Sequence, residues 1–198
     1  MLNTISEAIE AIRRLEPLSS NKSSMNSMMA ISSTILTRLD MARSNAQYQS
    51  SGDESYKYGA WVTPFMSGIE RKALSQSNTY YSGYKGRSNG VIVGYDAQVK
   101  EDMMLGLALS QIHDNVTHRD YKNGDKTKSD MLGVSMYGMK QINDIWYAKA
   151  LISYGNNKIK NTENRMVVSD IDNTISYEKV NGKYRSRLFS AEALFGYG

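Results

Sequence analysis

The most restrictive feature of this chain is a series of segments in which apolar residues alternate with small or polar ones. A period of two is typical of β-strands, because successive side chains point to opposite faces of a sheet. Six candidate strands cover about 59–69, 86–99, 103–112, 129–140, 145–156 and 189–197. Most reach about ten residues, the length of a tilted membrane-spanning strand, whereas soluble strands usually have about five or six.

The connections between these strands alternate in length. Long polar joints cover about 70–85, 113–128 and 157–185, while tight joints lie at 100–102 and around Asn143 and Asp144. Outer-membrane barrels have this rhythm because one rim faces the periplasm and the other the exterior. A soluble β-sandwich has no physical reason for it. The sequence therefore predicts an all-β fold, an antiparallel transmembrane β-barrel meander.

The two faces of the predicted strands differ in composition. The face opposite the apolar one is rich in Gly and Ser rather than Lys and Glu, which suits a confined lumen better than bulk solvent. The residues predicted to face the lumen are Gly94, Asp96, Gly106, Ser135, Lys149 and Glu192. The residues predicted to face lipid include Val91, Val93, Tyr95, Leu105, Leu107, Val134, Ala148 and Phe195. A lysine at the middle of the lipid face costs about 2–4 kcal/mol, which places Lys149 on the lumen side.

The segment ahead of the strands is predicted to be helical. A first helix is expected near residues 5–15, followed by a Ser- and Asn-rich linker at 18–27. A second helix is expected from about Met28 to Ala46, because apolar residues recur there at helical spacing among hydroxyl side chains. An amphipathic helix of this kind fits a polar lumen or an ordinary protein surface. In a lumen, its expected neighbours are the Gly and Ser positions of the second to fourth strands, because small residues allow a helix to approach closely.

Composition excludes several classes of function. The absence of cysteine excludes a disulfide scaffold and a thiolate metal site. The net charge of +4 comes from interspersed charges, so no nucleic-acid partner is expected. No run reaches the ~20 apolar residues of a membrane helix. The 14 Tyr, 15 Gly and 2 Pro suit a barrel with aromatic girdles but also a soluble sandwich. No metal or nucleotide motif is present, so no cofactor is expected.

Two histidines are the main candidates for catalysis. His113 and His118 both lie in the third joint, and Asp114, Asp120 and Asp125 are close in sequence. An Asp–His pair at a barrel rim would suit a rim protease. A solvated, charged loop explains the same residues without chemistry, so the sequence assigns no catalytic residue and predicts a protein that is not an enzyme.

Several motifs follow one another in a characteristic order. The stretch YGAWVTPF begins at Tyr58, and GYKGRSNGVIVGYD and MMLGLALS follow it. This series resembles the opening of the autotransporter β-domain family. The later stretch THRDYKNGDKTKSDMLGVSMYG is similar to the rickettsial outer membrane protein B group of surface antigens. The resemblance extends over about residues 28–198.

The resemblance implies a barrel of about twelve strands in the bacterial outer membrane, within the known range of such barrels. It also implies a helix that threads the pore, an N-terminal passenger that reaches the cell surface, and help from the barrel-assembly machinery. The pore-helix residues would be Ile31, Ile35, Arg38 and Leu39. Residues 1–57 would form the helical linker, and residues 58–198 the N-terminal half of the barrel domain.

Only about six of those strands are present, and no signal peptide begins the chain. The expectation is therefore a truncated translocator with an incomplete transport function. Two alternatives remain. One is a stand-alone outer-membrane structural protein or adhesin whose long loops bind host surfaces, and the other is the rim protease.

Overall fold

The computed structural model describes residues 20–48, 58–76, 79–168 and 175–197. One helix, α1, covers Ser20–Tyr48. Eight strands follow: β1 (Tyr58–Arg71), β2 (Leu74–Gln76), β3 (Thr79–Tyr81), β4 (Tyr84–Lys100), β5 (Met103–His118), β6 (Lys126–Gln141), β7 (Trp146–Val168) and β8 (Ile175–Tyr197). The helix predicted near residues 5–15 lies outside the described residues.

The sheet topology is a meander. Six strands form one antiparallel sheet in the order β1-β4-β5-β6-β7-β8, and the short strands β2 and β3 pair with each other within the first long joint. Each long strand pairs with the next long strand along the chain. The structure thus confirms the predicted antiparallel meander. Within the described residues the sheet is not closed, and β1 and β8 form its edges.

The strands on the side of the long joints are longer than predicted. β5 continues to His118, β6 begins at Lys126, and β7 continues to Val168. The prediction ended these strands where the outward-facing residues become polar. The ladder of backbone hydrogen bonds does not depend on side-chain polarity, so pairing continues through the polar rows.

The helix also begins earlier than predicted, because α1 includes most of the Ser- and Asn-rich segment read as a linker. Ser and Asn favour turns when their side chains compete for the backbone. Here Ser24 and Ser27 are buried against the sheet and bond to strand residues instead. Tertiary contacts therefore extend the helix where local preference opposes it. Within the described ranges, no helix is both long and apolar enough to cross a bilayer.

The main sheet has two chemically distinct sides, here named by the position of the helix. The inner face is the side that α1 covers, and the outer face is the opposite side. The buried core joins α1 to the inner face and comprises Met28, Ile31, Ile35, Leu39, Ile92, Met104, Ala108, Ile112, Met131, Tyr137 and Leu151. The outer face is apolar yet exposed: Leu107 is 60% and Phe195 76% accessible. Such a continuous exposed apolar surface indicates contact with another apolar phase.

Three glycines of the inner face lie beneath aromatic rings of neighbouring strands. Trp61 lies opposite Gly94, Tyr137 opposite Gly106, and Tyr147 opposite Gly196. A Cβ atom on Gly106 would lie 2.6 Å from Tyr137 Oη and closer still to ring carbons. On Gly94 it would lie 2.6 Å from Trp61 Nε1. These positions need glycine because the rings occupy the space of a side chain.

Candidate functional site: the helix-covered inner face

The apolar stripe of α1 rests on the inner face. Ile31, Ile35 and Leu39 are almost completely buried. Two glycines allow the approach: a Cβ on Gly133 would lie 3.6 Å from Ile31 Cδ1, and one on Gly155 would lie 2.9 Å from the Cε atom of Met28.

The prediction from the sequence set the helix against the second to fourth strands. In the structure α1 packs most extensively on β6 and β7, the fourth and fifth strands of the main sheet. Gly106 is covered by Tyr137 rather than by the helix.

One turn of the helix is anchored by a charged group in the sheet. Arg38 Nε donates to Asp96 Oδ2 at 3.3 Å, and the Asp96 side chain is fully buried. Tyr137 Oη donates to the same carboxylate oxygen at 3.3 Å, and Trp61 Nε1 donates to Tyr137 Oη at 2.9 Å. The chain of donors links α1 to β4, β6 and β1. A buried carboxylate is stable only with such partners, so this cluster fixes the register of the helix on the sheet.

A second buried carboxylate holds the N-terminal part of α1. Ser27 Oγ donates to both oxygens of Asp114, at 2.9 and 3.1 Å, and Ser129 Oγ donates to Asp114 Oδ2 at 2.9 Å. Asn157 Nδ2 donates to Ser24 Oγ nearby. The helix is therefore attached through hydroxyl groups at this end and through a guanidinium further along.

Near the C-terminal end of α1 the attachment is again ionic. Lys149 Nζ, on β7, donates to Asp40 Oδ1, and the Lys149 side chain is only 6% accessible. The guanidinium carbon of Arg43 lies 4.3 Å from the ring centroid of Tyr147, and Lys149 Nζ lies 5.3 Å from it. Cations from the helix and the sheet thus share one aromatic ring, a favourable electrostatic arrangement.

The structure brings the residues singled out from the sequence to one side of the sheet. Gly94, Asp96, Gly106, Ser135 and Lys149 are buried on the inner face, and Glu192 is half-buried on the same face of β8. On α1, Ile31, Ile35 and Leu39 are buried and Arg38 is half-buried. Asp96, Lys149 and Arg38 make direct helix–sheet contacts, and Ser135 pairs with Ser153 Oγ at 2.8 Å.

Sequence reasoning did not assign the contacts of Asp114, Tyr137 and Asp40 between the helix and the sheet. Asp114 and Gly106 share the same parity on β5, so extending the alternation past Ile112 would have placed this carboxylate on the inner face.

The rim-protease hypothesis required His113 and Asp114 to act together. They lie on opposite faces: His113 Nδ1 pairs with Asp130 on the exposed outer face, while Asp114 is buried on the inner face. His118 ends β5, beyond the apolar part of that strand, and burial lowers its pKa to about 4, helped by the positive charge of Lys122. The structure therefore separates the groups that this hypothesis needed.

The loop carboxylates near the histidines bind backbone groups. Asp120 Oδ2 accepts the Gly83 N–H at 2.8 Å, and Asp125 Oδ1 accepts the Asn164 N–H at 2.8 Å. Both carboxylates therefore stabilise the turns at this rim. In the described part of the chain, no three acidic or histidine side chains are grouped as metal ligands would be.

Comparison with known proteins identifies the family of this chain. The model of the autotransporter beta-domain family matches residues 60–198. The chain belongs to the autotransporter beta-domain family. Outer membrane protein A of Rickettsia conorii is 32% identical over 151 residues, which is 75% of this chain and 7% of that protein. Outer membrane protein B of Rickettsia prowazekii is 31% identical over 159 residues, 80% of this chain and 9% of that protein.

A solved structure supports the same fold. The translocator domain of autotransporter NalP from Neisseria meningitidis superposes with a TM-score of 0.58 and 17% sequence identity. The alignment covers 87% of this chain and 53% of that domain.

Family and relatives place the autotransporter domain in the bacterial outer membrane. The exposed apolar outer face is then the lipid-contacting surface, which accounts for its accessibility in an isolated chain. From the general form of such barrels, the tight joints are expected at the periplasmic rim and the long joints at the external rim. The chain spans less than a tenth of the length of the two relatives named above.

Proposed function

We propose that this chain supplies the pore-helix segment and the first barrel strands of a translocator that delivers an N-terminal passenger to the cell surface. The observation that carries the proposal is α1 itself. It lies on the inner face immediately before the first strand of the sheet. A helix in that position connects whatever precedes it to the barrel through the pore.

The proposal divides the chain at the start of β1. Residues 1–57 act as the linker and pore-helix segment, with Ile31, Ile35, Arg38 and Leu39 against the barrel wall. Residues 58–198 act as the first half of the barrel. Its edge strands would leave backbone groups unpaired in hydrocarbon, at a cost of several kcal/mol each. We therefore propose that further strands join β1 and β8, which the 53% coverage of the NalP domain supports.

The lumen assignment gives the polar contacts a function. Asp96, Lys149 and Asp114 are positioned to hold α1 through groups that water can also satisfy. A helix held by such polar contacts can occupy the pore and is released more easily than a helix held by a fully apolar interface. Gly94, Gly106, Ser135 and Glu192 complete the lumen surface that we propose.

The proposed partners are the outer-membrane lipids, the passenger and the barrel-assembly machinery. The proposed role is transport, with no catalytic step. Neither the family description nor the relatives' names denote an enzyme.

The test uses the gene product that contains this chain, with an epitope inserted ahead of residue 1 and expressed in a Gram-negative host. Protease added to whole cells should remove the epitope if the segment ahead of residue 1 reaches the exterior. The Asp96→Asn variant weakens the hold on Arg38 and should alter pore conductance in planar bilayers. Lys140→Gln, which changes an exposed outer-face residue, is the matched control.

Two results would contradict the proposal. One is an epitope that stays protected although the barrel is inserted, as judged by heat-modifiable migration. The other is a conductance that Asp96→Asn and Lys140→Gln change equally. Cells that bind host surfaces while the epitope stays inside would favour the adhesin alternative.

A further inference from the structure

A cluster of cations lies on the outer face, beyond the apolar band and toward the external rim. The basic patch comprises Lys128 on β6, Lys158 and Lys160 on β7, and Lys183, Arg185 and Arg187 on β8. All six side chains are exposed. None belongs to the inner face or to the helix contacts described above.

Strand register brings these residues into adjacent rows. Lys128 pairs with Lys160, and Lys160 pairs with Lys183, so three lysines lie side by side across three strands. In the next row Lys158 pairs with Arg185. Directly paired residues have Cβ atoms about 4.5–5.5 Å apart, and like charges at that distance destabilise a sheet. An anion bound between the rows would offset this repulsion.

One acidic residue, Asp130, adjoins the patch. Asp130 lies in the same row as Lys158, but its carboxylate pairs with His113 on the other side. Among the described residues, no ion pair involves any of the six cations. Ion pairs within the described residues therefore leave the positive charge of the patch available to an external anion.

The depth of the patch indicates where that charge lies. Tyr154 and Phe189, which pair with each other, form the last apolar row on β7 and β8. From the strand rise and a tilt of about 45°, the cations begin roughly 5 Å beyond that row and extend to about 15 Å. The polar layer of a bilayer reaches about 5–8 Å beyond the hydrocarbon. The nearest cations of the patch therefore lie at the outer part of this layer, and the other rows lie just outside it.

We propose that the basic patch binds the phosphate groups of anionic glycolipids in the outer leaflet. The lipid chains would lie against the apolar band below, and the phosphates would lie between the rows of lysine and arginine. The acyl chains of such a lipid match the apolar band, and its phosphates match the basic patch beside that band. An anion without acyl chains would contact the basic patch alone.

The test is lipid binding by the full chain in nonionic detergent micelles, measured by native mass spectrometry. Diphosphoryl lipid A should bind saturably, and the same lipid without phosphates should bind at least about tenfold more weakly. Lys158→Gln with Arg185→Gln should reduce the affinity for diphosphoryl lipid A about 30-fold, because two cations at an anionic surface together contribute about 2 kcal/mol.

The matched control removes the same charge at the opposite rim. Lys100→Gln with Lys140→Gln should leave the affinity within about twofold, because these exposed residues flank the tight joints. If the first double variant does not fold, as judged by circular dichroism, Lys128→Gln with Lys183→Gln tests the neighbouring row.

Four results would overturn the proposal. The first is equal binding of the lipids with and without phosphate, and the second is equal loss in the patch and control variants. The third is displacement of the lipid by inorganic phosphate at the same concentration, which would indicate a simple anion site. The fourth is binding of heparin in place of the lipid, which would indicate a polysaccharide partner.

Discussion

Replacing Gly106 by Ala tests how tightly the inner face is packed. The new Cβ would lie 2.6 Å from Tyr137 Oη and overlap the ring, so the ring must move. Moving it weakens the bonds from Trp61 Nε1, at 2.9 Å, and to Asp96, at 3.3 Å, at about 1 kcal/mol each. Overpacking adds about 1–3 kcal/mol, and Ala regains about 0.5–1 kcal/mol of strand preference. We expect Gly106→Ala to lower the free energy of unfolding by about 2–4 kcal/mol.

Urea unfolding in detergent measures this change when it is followed by tryptophan fluorescence in a Trp146→Phe background, where Trp61 is the one remaining tryptophan. Gly182→Ala is the control, because nothing lies within 4 Å of a Cβ at that position, and it should be neutral or slightly stabilising. Tyr137→Ala removes the obstructing ring, so the double variant should lose no more stability than Tyr137→Ala alone. A neutral Gly106→Ala, or costs that add fully in the double variant, would refute the packing argument.

Three further predictions concern the helix and the external rim. Arg38→Gln and Asp96→Asn should show a coupling energy of about 1–3 kcal/mol in a double-mutant cycle of unfolding, and a value near zero would disprove the ion pair. Cysteines at Ile31 and Gly133 should be joined by a short bifunctional thiol reagent, because a Cβ at Gly133 would lie 3.6 Å from Ile31 Cδ1, and no crosslink would contradict the placement of α1. The pKa of His118 lies below the unfolded value, so the unfolded chain binds more protons as the pH falls, and stability should decrease from about pH 6.5 toward pH 4. The loss should already be measurable at pH 5, and His118→Gln should abolish that part of the pH dependence, as thermal unfolding would show.

The face on which a strand residue lies was predictable because successive side chains of a strand point to opposite faces. Leu105 and Leu107 fixed the phase of β5, and Val134 fixed that of β6, so the inner-face residues followed at once. The ends of strands were not predictable in the same way. On β7 the outward residues change from Tyr154 to Lys158 while the backbone ladder continues to Val168. The polarity of the outward side chains depends on the medium around the strand, whereas the backbone hydrogen bonds determine where the strand ends.

The contacts of the candidate site needed three-dimensional information. Asp96 and Arg38 were both singled out from the sequence, but only the register of β4 and the placement of α1 show that they pair. Tyr137 has the same parity as Ser135 on β6, yet nothing local indicates that its hydroxyl group bonds to Asp96 across two strands. The early start of α1 has the same origin, because Ser24 and Ser27 stabilise the helix only through strand residues.

The length of the strands changes what the external surface can be. The adhesin alternative relied on long loops, but most residues of the predicted joints 113–128 and 157–185 belong to β5, β6, β7 and β8. The sheet therefore continues beyond the apolar band as a paired wall, whose outer face carries the basic patch. A wall of paired strands presents side chains at fixed spacings of a few ångströms, which suits repeated charged headgroups better than an irregular protein surface. The same strands thus contact three environments: the helix on the inner face, hydrocarbon on the lower outer face, and charged headgroups above it.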